Sequence, residues 1–72
     1  MAIEKVTLPV ARKMANLTQK ELGKLCGVSE STVYNWEKYK SEPSVSQAMK
    51  ISESCGLNYD DIIFLPSNTV KP

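Results

Sequence analysis

Apolar residues recur at helical spacing along most of the chain, and the polar residues between them mark where each helix starts and stops. Leu8, Ala11, Met14 and Ala15 form a first stripe. Thr7 precedes it as a cap, Pro9 sits in the first turn where no backbone N–H is needed, and Asn16 suits a left-handed stop. Thr18 and Glu21 make a capping box ahead of a second stripe, Leu22, Leu25 and Cys26, which Gly27 ends. Ser29 caps a third helix with Val33 and Trp36 about one turn apart. Pro43 disfavours helix at Glu42, so Lys38 to Pro43 reads as a loop. A second capping box, Ser44 with Gln47, opens a fourth helix whose inner side carries Val45, Ala48, Met49, Ile51, Ser52 and Cys55, and Gly56 closes it. Asn58, Asp60 and Asp61 start a short fifth helix from Tyr59 to about Phe64, with the acids at its positive end. Leu65 to Pro72 is polar, contains proline and has no periodicity. No strand alternation competes. The pattern predicts an all-α fold, a compact five-helix domain over residues 1–65 followed by a flexible tail over 66–72.

Composition narrows the function classes. At 72 residues the chain holds one domain with a modest core, and 42% hydrophobic residues make disorder a poor default. Two cysteines, Cys26 and Cys55, with no histidine make no zinc pattern; they read as small apolar residues of a reducing cytoplasm. No metal and no cofactor is expected. The opening MAIEKVTLPV has no run long enough for a signal peptide or a membrane span, so no membrane partner is expected. There is no catalytic constellation either: Asp60 and Asp61 are neighbours at a helix start, where acids belong without catalysis. The expectation is a non-enzyme with no small-molecule ligand. Net charge is only +1, but it is unevenly spread. Residues 1–40 hold seven basic against four acidic side chains, and residues 41–72 hold two against four. The imbalance suggests a basic face built by the first half.

The informative stretch is Thr18 to Glu37, TQKELGKLCGVSESTVYNWE. Two helices must cross steeply through a turn of a few residues, which needs a positive φ at Gly27 and a small residue, Gly23, facing the other helix. Leu22, Cys26, Val28, Val33 and Trp36 supply the apolar contacts that hold the crossing.

On these residues the chain resembles the Cro/cI-type (XRE-like) helix-turn-helix family, with a lambda-repressor-like fold. The shared pattern is Thr18-Gln19, Glu21-Leu22, Gly27-Val28-Ser29, Trp36-Glu37, Pro43-Ser44, Ile51, Leu57 and Asp61-Ile62, covering roughly residues 8 to 65. The closing Asp60 to Pro66 resembles the ends of small phage or prophage Cro-like proteins, which implies a whole chain rather than a fragment of a longer repressor. Two positions depart from the pattern. Gly23 stands where the family usually has Ala, at a cost of about 1 kcal/mol in helix propensity. Tyr39 stands where the family often has Gly, so either the third helix runs on or Tyr39 takes a strained conformation.

The resemblance implies a sequence-specific, DNA-binding transcriptional repressor in the cytoplasm of a bacterial host. Its partner would be a double-stranded DNA operator with two-fold symmetry, bound by a homodimer that pairs around Ile63, Phe64 and Leu65. With Val33 and Trp36 inward, the opposite face of the third helix carries Glu30, Ser31, Tyr34 and Asn35 toward base edges. Asn35 suits adenine, Ser31 donates or accepts, Glu30 accepts from cytosine or merely favours the helix dipole, and Tyr34 packs on a thymine methyl or a sugar. Gln19, Ser29, Lys38 and Lys40 are the expected phosphate contacts, with Lys13 and Lys20 as lesser candidates. Arg12 and Glu37 match a structural salt bridge of the family. A protein-binding antirepressor or antitoxin on the same fold is the alternative, favoured mildly by Glu30 and the low net charge.

Overall fold

The structure is a computed structural model, described here over residues 5–64. The element order is β1 (Val6–Thr7), α1 (Leu8–Met14), α2 (Gln19–Cys26), α3 (Glu30–Glu37), α4 (Val45–Cys55), one 3₁₀ turn (Tyr59–Asp61) and β2 (Ile62–Ile63). The four α-helices lie where the periodicity puts them. The Thr18 and Ser44 capping boxes are both formed, and the Ser29 hydroxyl caps α3.

The all-α, five-helix expectation needs correction at both ends. The segment after Asn58 makes a single 3₁₀ turn and then extends, with Ile62 at φ −114° and ψ 135°. β2 pairs in parallel with β1, Val6 opposite Ile62 and Thr7 opposite Ile63. Adjacent β-branched isoleucines favour extended backbone, and the ladder lets Ile62 bury while its backbone stays paired. Thr7 is correspondingly a strand residue, and its side chain makes no capping bond. The 66–72 tail lies outside the described residues.

All four α-helices stop in the same way. After each, one residue takes a left-handed φ: Asn16 at 62°, Gly27 at 76°, Tyr39 at 62° and Gly56 at 72°. The next N–H then reaches back to the helix. Leu17 donates to the Arg12 carbonyl, Val28 to Gly23, Lys40 to Asn35 and Leu57 to Ser52, all within 3.1 Å. This is the Schellman arrangement, which satisfies carbonyls that a helix end leaves free. Leu17, Val28 and Leu57 then pack on the core. Tyr39 is the residue of the four that does not suit the left-handed region, since a bulky side chain is strained there.

One cluster forms the core, drawing Leu8 and Ala11 from α1, Leu22 from α2, Val33 and Trp36 from α3, Ile51 from α4 and Ile62 from β2. Four residues of the apolar stripes point outward instead: Met14, Leu25, Val45 and Met49 are 60%, 52%, 68% and 51% exposed. The inner stripe of α4 is narrower than the sequence suggests, running through Ala48, Ile51 and Ser52. The buried Ser52 hydroxyl donates to the Met49 carbonyl at 2.8 Å, which removes its desolvation penalty.

Gly23 marks the closest approach of α2 to the turn. A Cβ there would lie 2.8 Å from the Val28 carbonyl oxygen and 3.2 Å from the Ser29 carbonyl carbon and oxygen, all backbone atoms. Gly23→Ala would gain about 1 kcal/mol of helix propensity but force the turn open, at about 1–3 kcal/mol. A net fall in melting temperature is expected by calorimetry; a rise would mean that propensity decides this position.

Cys26 and Cys55 are free and half-buried. Burial pushes both thiols above their usual range, against a smaller opposing pull from Lys50 at Cys26 and from Arg12 at Cys55. Alkylation by iodoacetamide should therefore be slower at neutral pH than for an exposed thiol, and should accelerate as pH climbs past the ordinary thiol range. Because each folded-state value is raised, the associated stability is present below the unfolded value and is lost as pH rises through the folded one. An alkylation rate equal to that of a small-molecule thiol would contradict the burial.

Candidate nucleic-acid interface

Two residues orient α3. Val33 and Trp36 are buried in the core cluster, so the opposite side of the helix faces solvent. At 100° per residue, Glu30, Ser31, Tyr34, Asn35 and Lys38 fall within an arc of roughly 140°. All are exposed except Asn35, which is half-buried. The surface is polar, with one aromatic ring among groups that donate and accept hydrogen bonds.

The start of α2 stands beside this surface. Gln19, Glu30, Ser31 and Tyr34 line one open concavity, so the N-terminal turns of α2 and α3 share a wall. The first intrahelical bond of α2 runs from the Leu22 N–H to the Thr18 carbonyl at 2.9 Å. The N–H groups of Gln19 and Lys20 precede it and are available to an outside acceptor. Ser29 is committed differently. Its Oγ accepts from the Thr32 N–H at 3.2 Å and lies 3.0 Å from Thr32 Oγ1.

A polar network fixes α1, α2 and α3 relative to one another. Arg12 Nε donates to Glu37 Oε2 at 2.6 Å, and Nη1 donates to the Leu17 carbonyl at 2.9 Å. Gln19 Nε2 donates to Glu37 Oε1 at 2.9 Å. The Arg12 and Glu37 side chains are 12% and 5% exposed, so the pair is held largely out of water. One Gln19 amide proton is thus spent on Glu37, which sets the rotamer, and the second remains free. The Gln19–Glu37 bond has no sequence signature, since the residues are 18 apart and neither spacing nor charge predicts it.

Lys38 and Lys40 follow the exit of α3. Both ammonium groups lie over the Tyr34 ring, 5.7 Å and 5.9 Å from its centroid. Lys38, the residue just past the end of α3, stands four positions after Tyr34, a spacing readable in advance. Lys40 arrives only because Tyr39 turns left-handed and the chain doubles back. Lys13 and Lys20 are exposed and make no ion pair among the described residues.

Among the described residues no group of three or more His, Cys, Asp or Glu side chains is placed to hold a metal ion. No helix there is long and apolar enough to cross a membrane.

Helices α2 and α3, packed together across the short turn at 27–29 and with a polar outward face on α3, define a helix-turn-helix domain of repressor-like fold. The helix-turn-helix family model matches residues 11–62, and the chain belongs to that family, in its XRE-like form. It is 43% identical over 51 residues to an uncharacterised helix-turn-helix-type transcriptional regulator of Methanocaldococcus jannaschii, covering 71% of this chain and 77% of that protein. Among solved structures it is similar to the P22 c2 repressor protein in complex with a synthetic operator, with a TM-score of 0.69 and 28% identity, covering 74% of this chain and 80% of that one. The family is one of transcriptional regulators with a DNA-binding fold.

Proposed function

We propose that this protein is a sequence-specific transcriptional repressor of the small Cro-like phage kind, which lays α3 in the major groove of a two-fold operator. The observation that carries this is the polar arc of α3, set opposite its buried Val33–Trp36 anchor and flanked by the free N-terminus of α2. A helix so anchored offers base-reading groups along one edge and backbone-gripping groups at its margins. Asn35 reads adenine through its amide, Ser31 and Glu30 contact base edges near the helix start, and Tyr34 meets a thymine methyl or a sugar. Gln19, Ser29, Lys38 and Lys40 take phosphates, Ser29 donating its hydroxyl proton when the Thr32 hydroxyl donates to Ser29 Oγ rather than accepting from it. The P22 c2 repressor protein, seen on a synthetic operator, and the regulator from Methanocaldococcus jannaschii support the reading.

A single domain makes few base contacts, so a homodimer with recognition helices about one DNA turn apart is part of the proposal. Its pairing face includes Ile63 and Phe64, where the Phe64 ring stacks on the half-exposed Tyr59 at 5.6 Å. Leu65 lies outside the described residues. The domain spans 1–65, and the protein works in the cytoplasm of the cell whose genes it controls.

The test is titration of a pool of mixed-sequence duplexes at about 50 mM and 200 mM salt, read by fluorescence anisotropy. Affinity should fall steeply between the two, as counterion release requires. Salt-insensitive binding, or no binding beside capture of a protein partner, would favour a protein-binding antirepressor or antitoxin.

A further inference from the structure

Three of the four helix ends have an apolar residue after the left-handed one, and it packs on the core: Leu17, Val28 and Leu57. The end of α3 keeps the backbone arrangement but not the side-chain logic. Its left-handed residue is Tyr39, and the residue after it is the exposed Lys40, whose ammonium group lies 5.9 Å from the Tyr34 ring centroid. Lys38, also exposed, reaches the same ring at 5.7 Å.

This arrangement carries two local costs in the free protein. A tyrosine in the left-handed region is strained, and backbone strain that persists is a pointer to function. Two ammonium groups drawn to one ring also repel each other. Neither cost serves the core, since Tyr34, Lys38, Tyr39 and Lys40 are all exposed. Phosphates bound by the ammonium groups would offset their positive charge, and the ring would keep both from swinging freely into solvent.

We propose that Tyr34 is a positioning residue: its ring holds the Lys38 and Lys40 ammonium groups as a two-point clamp for the DNA backbone, and the left-handed Tyr39 delivers Lys40 to it. This rests on the DNA-binding reading above and adds to Tyr34 a role distinct from base contact. Long lysine side chains lose much rotamer freedom on gripping a phosphate, and a ring that restricts them beforehand reduces that loss.

The test uses the full chain and a mixed-sequence duplex of about 20 base pairs, so that backbone contacts alone are measured. Tyr34→Ala should weaken binding about fivefold, and Tyr34→Phe, which keeps the ring, should restore it. In a Lys38→Gln/Lys40→Gln background the salt slope should drop by about two, and Tyr34→Ala should then add no further loss. Circular dichroism checks that each variant is folded. Wild-type affinity with no salt dependence would overturn the DNA-binding reading and the clamp together. Normal wild-type binding with an unaffected Tyr34→Ala variant would overturn the clamp alone. So would a Tyr34→Ala loss that persists undiminished without the lysines.

Discussion

Glu37→Ala is expected to lower the unfolding free energy by about 3–5 kcal/mol, measured by urea denaturation. The side chain is 5% exposed and accepts from two residues on other helices, Arg12 and Gln19. Truncation leaves the Arg12 guanidinium largely buried beside α3 with no carboxylate. That uncompensated charge, more than the lost attraction, sets the cost. A 72-residue domain has about 4–11 kcal/mol of stability in all, so the variant would lose a large share of it. Replacing both partners, Arg12→Met with Glu37→Leu, should recover most of the loss, because no buried charge then remains. A loss below about 1 kcal/mol for Glu37→Ala would instead describe a solvent-screened surface pair.

The Ser31→Ala/Asn35→Ala double variant should behave in the opposite way. Neither side chain belongs to the core cluster, and alanine is the better helix former, so stability should hold or rise slightly. Sequence-specific affinity should fall roughly a hundredfold or more, since each good base contact discriminates by about 1–3 kcal/mol. Binding to mixed-sequence duplex at low salt should change little, because Gln19, Lys38 and Lys40 are untouched. Equal loss on both kinds of duplex would assign Ser31 and Asn35 to the backbone rather than to bases.

The helices were legible because their signals are local. Thr18 with Glu21, Ser44 with Gln47 and the glycines at 27 and 56 each act within one turn, and the structure forms them as spaced. The chain's ends were not, because a two-residue strand has no alternation to read and its partner lies more than fifty positions away. Ile62 and Ile63 satisfy an acidic-then-apolar helix pattern equally well; the pairing with Val6 and Thr7 decides. Leu25, Val45 and Met49 show the limit of periodicity, which gives the direction of an apolar stripe but not the width its neighbours cover. In the candidate site, the outward arc of α3 followed from Val33 and Trp36. The Gln19–Glu37 bond and the meeting of Lys40 with Tyr34 did not, since both depend on tertiary geometry and on one left-handed tyrosine. Gly23 reads as a helix weakness in the sequence and as a close backbone approach in the fold.

Selection of bound duplexes from a random pool tests the central claim, that α3 reads DNA in the major groove, most directly. The wild-type protein should enrich one short half-site, repeated with two-fold symmetry about 10 base pairs centre to centre, and Ser31→Ala/Asn35→Ala should lose that motif while still binding at low salt. No enrichment by the wild-type protein, or the same motif recovered by the variant, would contradict it.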